Sequence, residues 1–154
     1  MSYQELIKKI KKWRELAQDY EDYFIKFALE YFVFNALLRI VFFPDKEAIK
    51  DKTLIDKLKE DDECKDFVLK GKESWIKKLK TELERKPLSN PTRNNTLTLE
   101  NLTDWGNLVE AVYWIRNNLF HGYKCPGDER DQKLVKYGYN LLCGFDDYLL
   151  GRTD

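Results

Sequence analysis

The run Arg116-Asn117-Asn118-Leu119-Phe120-His121 puts a permanent cation and the chain's single histidine on one short stretch of polypeptide. A guanidinium can grip a phosphate through a forked pair of charge-assisted hydrogen bonds, and an imidazole both takes and gives protons near neutral pH. Together they suffice for phosphodiester cleavage without a metal or cofactor. Arg116 would stabilise charge on a phosphorane-like transition state. His121 would act as general base on a ribose 2′-hydroxyl or as general acid at the leaving 5′-oxygen. One imidazole cannot do both jobs at once, so a two-imidazole mechanism needs a second copy of the chain. A two-fold homodimer supplies it.

The neighbours of this pair carry weaker signals. On a helix, Asn117 and His121 share a face one turn apart, whereas Arg116 and His121 diverge by about 140°. The long arginine stem, or unwinding at Gly122, must bring them together. Asn117 can orient the imidazole or bind a phosphate oxygen. Asn118 faces elsewhere and, with Lys124 and Tyr123 just beyond the histidine, counts as a candidate for substrate binding or regulation. Asn35 is a polar group amid Phe34, Leu37 and Leu38; if buried it needs a partner, with Arg116 and a local backbone group as the two choices. The opposing reading is structural, since a buried arginine near a histidine at a helix end is commonly a hydrogen-bonding pair.

Other constellations lead away from chemistry. His121 and Cys125 form an H-x3-C spacing, but Cys64 and Cys143 lie far off without paired spacing, so neither a zinc site nor a thiol hydrolase is expected. The acidic run at Glu60-Asp61-Asp62-Glu63 reads as a solvated helix end, because consecutive helical residues do not converge on one ion. Two basic clusters, Lys70 to Lys86 and Lys8 to Arg14, read either as tracks for an RNA backbone or as solvated faces of amphipathic helices.

Positioning the Arg116–His121 run requires a helix that stops on time. Leu108, Ala111, Val112, Ile115 and Leu119 recur at helical spacing, predicting a helix from Asn107 to Phe120, capped by Thr103 or Asp104 and ended at Gly122. Upstream, no Pro or Gly occurs before Pro44, and periodic aromatics predict helices from about Ser2 to Ala17 and Asp19 to Phe42, with a bend near Gln18-Asp19. Amphipathic helices follow over about Lys46 to Lys59 and Lys72 to Lys86, and a last one over about Asp128 to Leu150. Leu88 to Thr103 reads as a long irregular loop, with only a weak Leu97-Thr98-Leu99 alternation.

Arg116-Asn117-x-x-x-His121-Gly122 resembles the Arg-x4-His motif of HEPN domains, and Tyr31-Phe32-Val33-Phe34-Asn35-Ala36-Leu37-Leu38 resembles the aromatic-rich early helix of several HEPN groups. The likeness covers two helices well and the middle of the chain poorly. It implies an all-α, HEPN-like helical bundle with an antiparallel long-helix pair at its centre. It further implies a homodimeric endoribonuclease on single-stranded RNA, leaving a 2′,3′-cyclic phosphate, in a toxin–antitoxin or defence setting. Tyr123 extends the match to Arg-x4-His-x-Tyr, similar to HEPN toxins paired with a nucleotidyltransferase antitoxin, in which that tyrosine is modified. A non-catalytic HEPN-type module that binds a nucleotide, RNA or a partner protein is the alternative.

Composition bounds these readings. At 154 residues and 43% hydrophobic content, the chain supports one well-buried domain. Lys plus Arg equals Asp plus Glu at 27 each, so any RNA site must be local. The apolar stretch Tyr31 to Phe43 is interrupted by Asn35 and Arg39 and falls short of the roughly 20 residues of a membrane span. Unpaired cysteines and the lack of a signal-like start make cytoplasmic residence the expectation.

Overall fold

Ser2 opens the first helix, α1 (Tyr3–Asp19), with a capping box: its hydroxyl accepts from the Glu5 N–H, and the Glu5 carboxylate accepts from the Ser2 N–H. The computed structural model describes residues 1–46, 48–90, 94–99, 104–122 and 124–154. Helix α2 (Tyr23–Phe42) begins where the Asp22 carboxylate accepts from the Phe24 N–H at 2.7 Å. The break expected at Gln18-Asp19 therefore falls at residues 20–22, where Asp22 offers a cap.

The described residues continue as α3 (Asp51–Lys59), α4 (Asp62–Gly71), α5 (Glu73–Arg85), the hairpin β1 (Leu88–Asn90) and β2 (Asn95–Leu97), α6 (Trp105–Phe120) and α7 (Glu129–Gly151). The all-α expectation holds, with three differences. Helix α3 starts later than Lys46, at Asp51. Helix α4 is an element the periodicity does not announce, because Cys64 and Val68 are its only buried side chains. The acidic run explains its start, since the Asp61 carboxylate accepts from the Cys64 N–H at 2.9 Å and caps the helix. The third difference is the hairpin, which pairs Leu88 with Leu97 inside the stretch read as irregular and turns through Asn94 in the left-handed region at φ 53°.

Helix α7 is the hub of the bundle. Tyr23 meets Tyr139, Phe34 meets Phe145, and Phe42 lies by Arg152, so contacts climb both chains together and α2 runs in the same direction as α7. This corrects the expected antiparallel central pair. The antiparallel partner of α2 is α1, where Trp13 packs on Phe32 and Arg14 reaches back to Glu30. Connectivity explains the arrangement, because short links force antiparallel neighbours whereas α2 and α7 are separated by most of the chain. Helix α6 crosses α7 antiparallel, with Trp105 on Phe145 and Ile115 by Gly138. No helix among the described residues is long and apolar enough to cross a membrane.

Candidate functional site

Helix α6 is held at both ends. Asp104 accepts from the Asn107 N–H, and the buried Trp105 indole donates to the Leu58 carbonyl at 3.0 Å, fixing the helix against α3. At the far end His121 leaves the helical conformation at φ −89°, ψ 5°, while its N–H still donates to the Asn117 carbonyl at 3.0 Å. Gly122 then takes φ +77° and donates to the Leu119 carbonyl at 3.2 Å. That left-handed step is the glycine stop the sequence predicts. It leaves His121 exposed at the helix end.

Arg116 is seated on aromatic faces. Its guanidinium lies 4.5 Å from the Phe120 ring centroid and 5.4 Å from that of Tyr31, two rings that themselves pack edge to face. Nη1 donates to the Asn117 side-chain oxygen at 2.8 Å, and Nη2 makes a long contact of 3.4 Å with Asp51. Nε is buried without a hydrogen-bond partner among the described residues. Burial raises the pKa of the Tyr31 phenol, against the pull of the Arg116 charge, so the ring beside the guanidinium stays neutral.

Asp51, the first residue of α3, joins this cation to a second one. Its other oxygen accepts from Asn35 Nδ2 at 3.1 Å, and the Asn35 oxygen accepts from Arg39 Nε at 3.0 Å. Arg39 also donates to the Ile49 carbonyl at 2.9 Å and lies 3.6 Å from Asp51. Asn35 is thus linked to Arg116 through a carboxylate and, among the described residues, bonds neither the Arg116 guanidinium nor a local backbone group. Asp51 and Arg39 are the members that sequence reasoning missed. An acid at a helix start reads as dipole compensation, and no local signal shows that a residue 65 positions away shares it.

The remaining candidates sit apart. Asn118 is buried and donates to the Ser89 carbonyl at 3.0 Å, anchoring the β1 edge to α6. Lys124 is almost wholly buried, with its ammonium 3.1 Å from Asp131, and burial lowers its pKa despite that partner. Tyr123 lies outside the described residues. The cysteines divide by environment: burial pushes the Cys143 thiol up to about 12 and raises Cys64 as well, leaving both as unreactive thiols, while Cys125 is exposed. Among the described residues, no three His, Cys, Asp or Glu side chains are placed to hold a metal ion. Of the Lys8–Arg14 cluster, Arg14 turns inward to Glu30 at 2.8 Å and to Asp147 at 2.6 Å, so it belongs to the core and not to a nucleic-acid track.

Comparison with known proteins finds no family model, no curated protein and no solved structure that matches the chain.

Proposed function

We propose that the chain is a metal-independent endoribonuclease of the HEPN type, acting as a homodimer on single-stranded RNA. The observation that carries this reading is the seating of Arg116 on two aromatic rings at the helix end that presents His121, with Nη2 on a long carboxylate contact and Nε unused. A phosphate can exchange for a contact of that length more readily than for a short bidentate pair. In the reaction a base removes the 2′-hydroxyl proton and the 2′-oxygen bonds to phosphorus. The bond from phosphorus to the 5′-oxygen breaks, and an acid protonates that oxygen. Arg116 stabilises the charge on the equatorial oxygens, and His121 from each protomer supplies the acid and the base. Asn117, hydrogen-bonded to Arg116, holds the guanidinium in place.

The second reading, a non-catalytic HEPN-type module that binds RNA, a nucleotide or a partner protein, draws on the same network. Asn117 and Asp51 already occupy both Nη atoms of Arg116, as they would in a structural role.

One set of measurements separates the two. An enzyme cleaves single-stranded RNA in EDTA, and Arg116→Ala or His121→Ala lowers the rate by about 10²- to 10⁴-fold while circular dichroism stays unchanged. A 2′-O-methyl group at the cleaved nucleotide blocks the cut while most phosphate-driven binding remains. Sedimentation reports a species near twice 18.5 kDa. Cleavage retained by His121→Ala, or abolished by chelation, rejects the mechanism. RNA bound and never cut assigns the chain to the second reading.

A further inference from the structure

Trp75 of α5 and Tyr137 of α7 pack together with ring centroids 6.1 Å apart, and both rings are only half-buried. Lysines rest on them. Lys78 Nζ lies 4.4 Å from the Trp75 centroid, and Lys136 Nζ lies 6.0 Å from the same ring and 5.5 Å from that of Tyr23 on α2. Among the described residues the ion pairs of α5 and of the first turns of α7 join Lys77 to Glu73, Lys80 to Glu84, Lys133 to Glu129, Lys124 to Asp131, and Glu82 to Arg85 and Arg130. Lys78 and Lys136 are left on the aromatic rings without a carboxylate. An exposed contact between a cation and a ring is weaker than the stacking of a nucleobase on that ring, and a lysine stem is free to swing to a neighbouring phosphate.

The acids of the region fall mostly elsewhere. At about 100° per residue, Trp75, Lys78 and Arg85 share one flank of α5, while Glu73 and Glu84 lie on the other with Lys77 and Lys80. Glu82 is the acid on the Trp75 flank, and two arginines hold it. On the α2 side, Asp19, Glu21 and the capping Asp22 bound the face, so an anionic strand would run the other way, along α5 and α7. Trp75 meets Tyr137 and Glu82 meets Arg130, which sets the two helices antiparallel over about 10 Å. Beyond Arg130 lies a polar cavity of about 270 Å³ lined by Lys86, Lys124 and Asn118, the last of these three residues before His121. Asp128 and Asp131 line it as well, already taken by the Asp131 N–H and by Lys124. We infer that the α5–α7 face binds single-stranded RNA, its bases stacked on Trp75 and Tyr137 and its phosphates on Lys78 and Lys136, with the strand leading towards the cavity beside the His121 helix end. Aromatic rings interleaved with cations are how single strands are held without sequence preference. The choice of RNA over DNA rests on the ribonuclease reading; the binding does not.

The test follows the anisotropy of a fluorescein-labelled 2′-O-methyl RNA strand, which cannot be cut, as the full chain is added. Trp75→Leu, which keeps apolar bulk and removes the ring, should weaken binding about tenfold, and Trp75→Phe should recover most of it. Lys78→Gln and Lys136→Gln should each lower the slope of log affinity against log salt by about 0.7, the share of one phosphate contact on a single strand. His121→Ala should bind as the unaltered chain does. The proposal is overturned if no strand binds, if Trp75→Leu and the two lysine variants bind unchanged, or if the duplex form of the RNA binds as tightly as the single strand. Equal competition by polyglutamate would also overturn it, assigning the face to an acidic protein partner. A strand bound in this way and never cut in its unmodified form would sink the ribonuclease reading alone.

Discussion

On the ribonuclease reading, Asp51 sets how available Arg116 would be to a phosphate. The carboxylate is a third exposed and shares its two oxygens among Asn35, Arg39 and Arg116, so it competes with any anion for the guanidinium without dominating it. Partly exposed ion pairs of this kind are worth about 0–1 kcal/mol. Asp51→Asn keeps an acceptor for Asn35 and removes the competing charge, while Phe120 and Tyr31 still seat the guanidinium. The expected outcome is a stability change below about 1 kcal/mol, together with few-fold tighter binding of an uncleavable 2′-O-methyl RNA at low salt. Weaker binding by this variant would show that Asp51 positions Arg116 and does not compete for it.

At the scale of elements, the α2–α7 contact depends on a missing side chain. A Cβ at Gly138 would lie 2.7 Å from Cε2 of the buried Phe27 ring, so α7 can approach α2 there only as glycine, whereas its 3.6 Å to Ile115 of α6 is ordinary contact. Gly138→Ala should cost about 1–3 kcal/mol, the usual penalty of overpacking a core that cannot give way. Gly144 offers the contrast. Its added Cβ would meet Lys72 Cγ at 2.8 Å, on a lysine stem that has to change rotamer but is not a buried ring. Gly144→Ala should therefore cost less than Gly138→Ala, with helix propensity offsetting part of the loss. Paired urea denaturation curves check both, and equal losses at the two positions would discredit the close-approach argument.

Across the whole molecule, α1, α2 and α7 meet on a buried charge cluster. Arg14 faces Glu30 and Asp147, and Glu30 and Asp146 are wholly buried. Among the described residues neither Asp146 oxygen meets a conventional donor, and Asp146 lies beside the Glu30 carboxyl, so two buried acids with one arginine between them favour holding a proton in common. Burial first, then the Glu30 charge, raises Asp146 well above its ordinary value of 3.8, and burial raises Glu30 despite Arg14. A carboxyl raised in the fold keeps its proton where the unfolded chain has released it. Its contribution is therefore complete below the ordinary value and is lost as pH climbs through the raised one. Asp146→Asn removes that titration. The unaltered chain should lose stability relative to the variant as pH rises above the ordinary carboxyl value of 3.8, as read by chemical denaturation across that rise; parallel curves would rule out the shared proton.

The sequence by itself determined the elements whose signals are local. Helical apolar spacing predicted α2, α5, α6 and α7, and Gly122 predicted where α6 ends, because a left-handed residue is a property of one position and its neighbours. It determined that Arg116 and His121 share a helix end. It also missed α4, whose two buried side chains are too few to make a period. Only the tertiary structure decided that α2 and α7 run in the same direction, that Arg116 rests on Tyr31 and Phe120, and that Asp51 stands between Arg116 and Asn35. It likewise turned Arg14 out of a basic surface cluster and into the core. The physical reason is common to these cases. A side chain's partner across the fold depends on where distant helices pack, and burial, not residue type, determines whether a charge meets solvent, an acid or an aromatic ring.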